Sequence, residues 1–198
     1  MIGDLPKTLQ INDKDYDIRW DFKSCLLLMN ALNDRDLNDY ERGIILLKIL
    51  YKDYESIPAE HLQEACEQGL WFLNCGRQYD DTHKNSQASL YDLSKDEQII
   101  FSAINKVAGR EIRLDNNLHF WTFMGYFNEI GEGTFATVVS IRDKKRRHKK
   151  LEPWEKDFYL KNKSMVDLKT PLTEREKEEM NELNKLLGLE VKWWQMVQ

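Results

Sequence analysis

Several features are scarce in this 198-residue chain, and each scarcity excludes something. Four prolines and nine glycines are too few for a many-turned β-sandwich and suit helices. Three cysteines, Cys25, Cys66 and Cys75, are odd in number and far apart, which fits reduced core thiols better than a disulfide framework. Read on one helix, Cys66 and Cys75 would lie about 13 Å apart at ~1.5 Å per residue, beyond disulfide reach. The first ten residues hold no apolar h-region, and no window approaches the ~18 apolar residues of a membrane span. A cytosolic protein without membrane association is expected. The net charge of −5 argues against general nucleic-acid binding.

Catalytic motifs are missing too. There is no GxSxG, CxxC or P-loop, and GEGT at 131–134 lacks the following Lys-Ser/Thr and the preceding strand. His61, His83, His119 and His148 are scattered over separate elements, and none belongs to a known ligand pattern such as HExxH. Within the expected aromatic helix no acid follows His119 at i+3 or i+4, so a packed histidine is favoured over a catalytic one. Glu60 and Glu64 read as solvated helix carboxylates. No enzyme activity, cofactor or metal is expected.

What is present is helical periodicity. Its centre is residues 117–142, which hold six of the 22 aromatics. Leu118, Trp121, Met124 and Phe127 recur at helical spacing, and Phe120, Phe123 and Ile130 widen the stripe. Gly131 and Gly133 supply a break, and Thr134 is the expected N-cap of a second helix. Before this pair, Leu9, Ile11, Tyr16 and Ile18 alternate as in a β-hairpin. Asp21 and Asn38 (with Glu41) read as N-caps of two helices, Pro58 opens a third, and Ser94 with Glu97 reads as a capping box of a fourth. Residues 77–88 are polar and aperiodic, a loop. Gly109 fits a helix C′ position.

Beyond residue 142 the apolar pattern weakens. Arg142, Lys144, Lys145, Arg146, Arg147, Lys149 and Lys150 form the one strong charge run. It reads as a solvated helix end, with docking of phosphates or of an acidic partner as alternatives. Pro153 starts a helix carrying Trp154 and Phe158, and Thr173 with Glu176 a polar one. Trp193 and Trp194 either close the core or anchor a partner. The expectation is a mainly α protein: a helical globular domain with a small N-terminal β-hairpin over 1–142, and a basic segment plus C-terminal helical arm over 143–198. Trp71, Phe72, Phe120, Trp121, Phe123 and Phe127 form the expected core aromatic cluster. Arg142, Lys144, Lys145, Arg146, Arg147, Trp154, Phe158, Trp193 and Trp194 are the expected partner-binding residues.

Six stretches carry a family resemblance: WDFKSCLLLMNAL, ERGIILLKILYKD, IPAEHLQEACEQGLWFLNCG, YDLSKDEQIIFSAINKVAGREI, LHFWTFMGYFNEIGEGTFATVVSIR and LEPWEKDFYLKNK. In this order and spacing, over residues 8–163, the chain resembles the gene-product-fifteen family of tail proteins of long-tailed phages and prophages. Where that family commonly reads His-Trp-Trp, this chain has His119-Phe120-Trp121. The resemblance implies a non-catalytic tail-assembly chaperone. Such a protein binds the tape-measure protein in the host cytoplasm, helps recruit tail-tube subunits and is absent from the mature virion. Itself or a neighbouring chaperone would be further partners. A tape measure exposes apolar helical stripes until the tube covers it, so a small helical protein is suited to mask it. The alternatives are a tail or neck component retained in the virion, or a nucleic-acid-binding regulator using 142–150.

Overall fold

Asn12 and Asp13 both adopt positive φ, 44° and 62°, the backbone that a two-residue type I′ hairpin turn demands. They join β1 (Thr8–Ile11) to β2 (Lys14–Asp17), with Leu9 opposite Tyr16 and Ile11 opposite Lys14. The computed structural model describes residues 3–77, 90–168 and 174–186, and all statements of structure below concern these. The alternation buries Leu9, Ile11, Tyr16 and Ile18 on one face. A two-stranded ribbon is unstable alone, and here it lies on helices. Arg19 secures it: the backbone N–H donates to Leu50 O at 2.7 Å, and Nη1 donates to the carbonyls of Ile49 and Tyr51.

Helix α1 (Phe22–Leu32) starts where expected, with Asp21 accepting from the Ser24 N–H at 2.9 Å. Helix α2 (Asp39–Leu50) carries the full Asn38–Glu41 capping box. Pro58 leads into a single 3-10 turn (Ala59–His61), so α3 (Leu62–Leu73) begins four residues later than the proline suggests. Helices α2 and α3 pack closely at Gly69, where a β-carbon would stand 2.6 Å from Leu46 Cδ2. Cys75 is not on α3. It lies past the helix end at φ 55°, closing a Schellman motif in which Gly76 N–H reaches Trp71 O, which corrects the shared-helix reading. All three cysteines are free.

Helix α4 (Glu97–Ala108) ends on Gly109 at φ 68°. The Ser94 capping box does not form. Asp96 precedes the helix without capping it, because its carboxylate is committed to Arg142. Helix α5 (Phe120–Asn128) and α6 (Thr134–Arg146) are the two helices expected from 117–142, but Gly133 rather than Thr134 is the residue before α6. Helices α7 (Pro153–Lys161) and α8 (Lys163–Val166) follow.

Helix α5 is the hub. Backbone hydrogen bonds from Phe22 N–H to Leu118 O and from Phe120 N–H to Trp20 O lay its entry along the start of α1. Phe120 then faces the hairpin–α2–α3 core, while Phe123 stacks on Phe22 at 5.1 Å in a second core shared with α4 and α6. Full burial of each such ring stabilises by about 1.5–3 kcal/mol. The mainly α architecture with one small hairpin is therefore as expected. The chain forms two compact units, Met1–Leu168 and Lys169–Gln198. The division expected after residue 142 falls inside α6, which runs unbroken across it. The second unit contains α9 (Glu174–Leu186), on which Met180 and Leu183 are half exposed. Among the described residues no helix is long and apolar enough to cross a membrane.

Candidate functional site

The charge run on the last turns of α6 is mostly occupied within the fold. Arg142, 8 % exposed, uses every donor of its guanidinium. Nη1 and Nη2 bind the two oxygens of Asp96 at 2.6 and 2.9 Å. Nε donates to Val166 O at 2.7 Å, Nη2 to Met165 O at 2.7 Å and Nη1 to Leu90 O at 3.0 Å. The planar fork suits this: two N–H groups meet a carboxylate, two collect carbonyls at the end of α8 and one the Leu90 carbonyl before α4. The expectation of Arg142 at a partner surface is corrected, because a buried guanidinium without a spare N–H cannot bind a partner.

Its neighbours fasten the chain that follows. Lys144 Nζ sits 2.7 Å from both oxygens of Glu155, a carboxylate 1 % exposed. Glu155 Oε2 also accepts from the Glu152 N–H at the start of α7, and Pro153 occupies the first helical position. The hydrogen bond from Lys144 holds the Glu155 carboxyl below the usual carboxylate range. Lys145 lies 3.9 Å over the Tyr159 ring and 2.5 Å from Asp167, whose carboxyl is lowered by that lysine. Tyr159 donates to the other Asp167 oxygen at 3.0 Å. Arg146 and Arg147 bind Asp143 on their own helix. Val138, Ile141 and Val166 form a small apolar core beneath these pairs, with Phe158 and Tyr159 against it. The basic run is thus a clasp that fixes residues 151–168 onto α6.

Helix α6 ends in a second Schellman motif. His148 takes φ 53°, and Lys149 N–H reaches Lys144 O at 2.8 Å. This turn leaves His148, Lys149 and Lys150 exposed. On α7, Trp154 is 59 % and Leu160 66 % exposed. Of the expected partner-binding residues, the structure thus leaves Trp154 open, half-buries Phe158 and buries Arg142. Trp193 and Trp194 lie outside the described residues, as do most of the loop expected over 77–88 and the Thr173 cap. An open cleft of about 280 Å³ adjoins the clasp, lined by Lys95, Asp96, Ile99, Arg142, Met165 and Asp167 among others. Asp96 and Arg142 neutralise each other there, so the cleft offers no unbalanced charge to a ligand.

The expected aromatic cluster is divided. Phe72, Phe120, Trp71 and Trp121 sit in the first core, with Trp121 Nε1 donating to Phe72 O at 2.8 Å. Phe123 and Phe127 belong to the second, where Phe127 meets Tyr91 and Phe135. His119 caps α5 rather than lying within it. Its Nδ1 accepts from the Trp121 N–H at 3.1 Å, so the proton is on Nε2, which donates to Pro6 O at 2.8 Å. Burial pushes its pKa down, and the Pro6 carbonyl opposes this. Both ring nitrogens are engaged, as for a structural histidine. Among the described residues no group of three or more His, Cys, Asp or Glu could hold a metal.

Sequence reasoning missed Asp96 and Glu155. Glu155 carries a signal, as the fourth residue of Glu-Pro-Trp-Glu at a helix start. Asp96 carries none, standing 46 residues from Arg142.

A family model described as Bacteriophage Gp15 protein matches residues 1–168, the same span as the first compact unit. No curated protein and no solved structure matches the chain.

Proposed function

The chain belongs to the bacteriophage Gp15 family, and from that premise we propose that it is a non-catalytic tail-assembly chaperone. In this reading it binds the tape-measure protein in the host cytoplasm, aids assembly of tail-tube subunits around it, and leaves before the virion is complete. The observation that carries the reading is the family match over the whole first unit. A tape measure is a long helical protein whose apolar stripes need cover until the tube forms. A compact helical protein with an exposed aromatic beside a basic turn can supply temporary cover by helix-in-groove docking.

Co-expression with the tape-measure protein of the same phage tests this. The expected result is a more soluble tape measure that co-purifies with this chain. An equally insoluble tape measure and no co-purification would defeat it. Mass spectrometry of purified particles then separates a chaperone from a retained component: stoichiometric presence in virions would replace this reading with a structural tail or neck role.

A further inference from the structure

The hairpin register leaves one sheet edge open. Ile18 N–H donates to Lys7 O at 3.0 Å, so these two residues form a hydrogen-bonded pair. Such pairs alternate along an antiparallel ladder: Leu9–Tyr16 and Ile11–Lys14 are bonded, while Thr8–Asp17 and Gln10–Asp15 are not. The N–H and C=O groups of the unbonded residues therefore face outward. On the β2 side this edge is in use, since Asp17 O accepts from Lys52 N–H at 3.1 Å. On the β1 side Glu64 of α3 takes the Asn12 N–H at 3.2 Å, at the hairpin tip. Behind it, Thr8 and Gln10 are exposed, and their outward main-chain groups have no partner among the described residues.

Two free donors and two free acceptors on extended backbone are a template for one more strand. The charges around it select the occupant. Thr8 and Gln10 share the solvent face of the hairpin with their opposite residues, Asp17 and Asp15. Asp17 has Lys52 at 3.6 Å, whereas Asp15 forms no ion pair among the described residues. Glu64 adds a third carboxylate at the tip. The hairpin's own cations, Lys7 and Lys14, belong to the other face and lie over the rings of Trp20 and Tyr16.

We propose that the open edge of β1 takes up an extended basic segment of a partner protein as a third strand. Its main chain pairs with Thr8 and Gln10. Neighbouring strands lie about 4.8 Å apart, so lysines or arginines on its solvent face stand within ~10 Å of Asp15 and Asp17. That is inside the Debye length at about 0.1 M salt. An acidic segment would be repelled. A second copy of β1 fits less well than a basic strand, because it would lay two acidic hairpins side by side. This inference does not rest on the assembly role, whose partner is a helix.

The test titrates the isotope-labelled full chain with an eight-residue peptide of alternating lysine and valine, and with its glutamate/valine counterpart, at about 0.1 M salt. The basic peptide should bind at least tenfold more tightly. Gln10→Pro deletes an N–H that no ladder bond uses, on an edge where proline is tolerated, and should weaken binding at least tenfold. Gln10→Val should bind as the wild type does, because the contact is main chain. Asp15→Lys should narrow the preference between the peptides at least threefold. Circular dichroism checks that each variant stays folded. Amide exchange needs no variant: Thr8 and Gln10 should exchange fast in the free chain and at least tenfold more slowly with saturating basic peptide, while Leu9 and Ile11 stay slow throughout. Equal binding of the two peptides, unchanged binding by folded Gln10→Pro, no slowing at Thr8 and Gln10, or no binding at all overturns the proposal. Sedimentation that finds a wild-type dimer broken by Gln10→Pro gives the edge to a second copy and overturns it too.

Discussion

Replacing Arg142 with methionine should be the most damaging single change on α6. Methionine fills similar length but donates nothing. The Asp96 carboxylate, whose side chain is 3 % exposed, would keep one hydrogen bond, from the Asp92 N–H at 2.9 Å, and lose its cation. Three carbonyls, of Leu90, Met165 and Val166, would also lose a donor. Breaking a buried pair from one side costs about 3–5 kcal/mol, and that range already includes much of the desolvation of orphaned neighbours. A domain stable by about 5–15 kcal/mol would lose a large share of its stability. Urea unfolding at pH 7, followed by tryptophan fluorescence and far-ultraviolet dichroism, measures the loss. Two companions make it specific. Lys145→Ala, at a pair about one-third exposed on both sides, should cost under about 1 kcal/mol. The double variant Asp96→Leu, Arg142→Met leaves no unpaired charge and should recover most of the loss, with a coupling of at least about 2 kcal/mol. A loss below about 1 kcal/mol for Arg142→Met, or a double variant no better than the worse single one, would refute the clasp.

Acid should loosen the same region, where the carboxyls of Glu155 and Asp167 are held low by Lys144 and Lys145, and also the α4–α5 connection, where Arg113 holds that of Glu111 down to about 2. A lowered folded pKa means fewer bound protons in the fold, so this stability is complete above about pH 4.5 and lost as pH falls toward 2; urea midpoints should show that fall, and Glu155→Gln should reduce it. His119 acts in a higher window, because its folded pKa is lowered by burial: between the ordinary 6.5 and the folded value the unfolded chain binds the extra proton. Stability should drop on acidification below about pH 6.5, by at most ~1.4 kcal/mol per unit, and His119→Asn, which keeps a capping side chain, should flatten that slope. Gly125→Ala, in the interior of α5 with nothing within 4 Å of the new methyl, should stabilise by about 0.5–1 kcal/mol, whereas Gly69→Ala should destabilise by about 1–2 kcal/mol against the buried Leu46 and Leu50; a thermal melt of each checks the opposite signs.

Helix placement was legible because local chemistry decides it. Asp21, Asn38 with Glu41, Pro153 and Gly109 each solve a terminus problem within four residues, and each does so in the structure. The failures at Asp96 and in the charge run share one cause, a tertiary partner that outcompetes a local one. Asp96 and Ser94 stand where a cap belongs, but a guanidinium 46 residues away takes the Asp96 carboxylate, and the Ser94 N–H turns to Asp92. The charge run misled for the same reason. A row of cations looks solvated when its acceptors, Asp96, Glu155 and Asp167, are spread over seventy-odd residues of sequence. The division of the aromatics into two cores was also hidden. Periodicity shows that Phe120 and Phe123 are both interior, but not that α5 lies between two sets of helices.

The clasp and the exposed aromatic depend on one another. A helix of nine residues such as α7 is marginal in isolation, so Trp154 on a free arm would have no fixed direction. Arg142, Lys144 and Lys145 remove that freedom by binding α8 carbonyls, Glu155 and Asp167. Lys149, Lys150 and Lys156 lie outside these pairs, exposed and without an ion pair among the described residues. Hydrogen exchange separates the two sets of cations. Arg142→Met should release the amides of 154–166 while those of the hairpin stay protected, and Lys149→Glu with Lys150→Glu should leave both unchanged. If the Lys149 and Lys150 changes also freed α7, the turn would belong to the clasp and the division between the two sets of cations would fail.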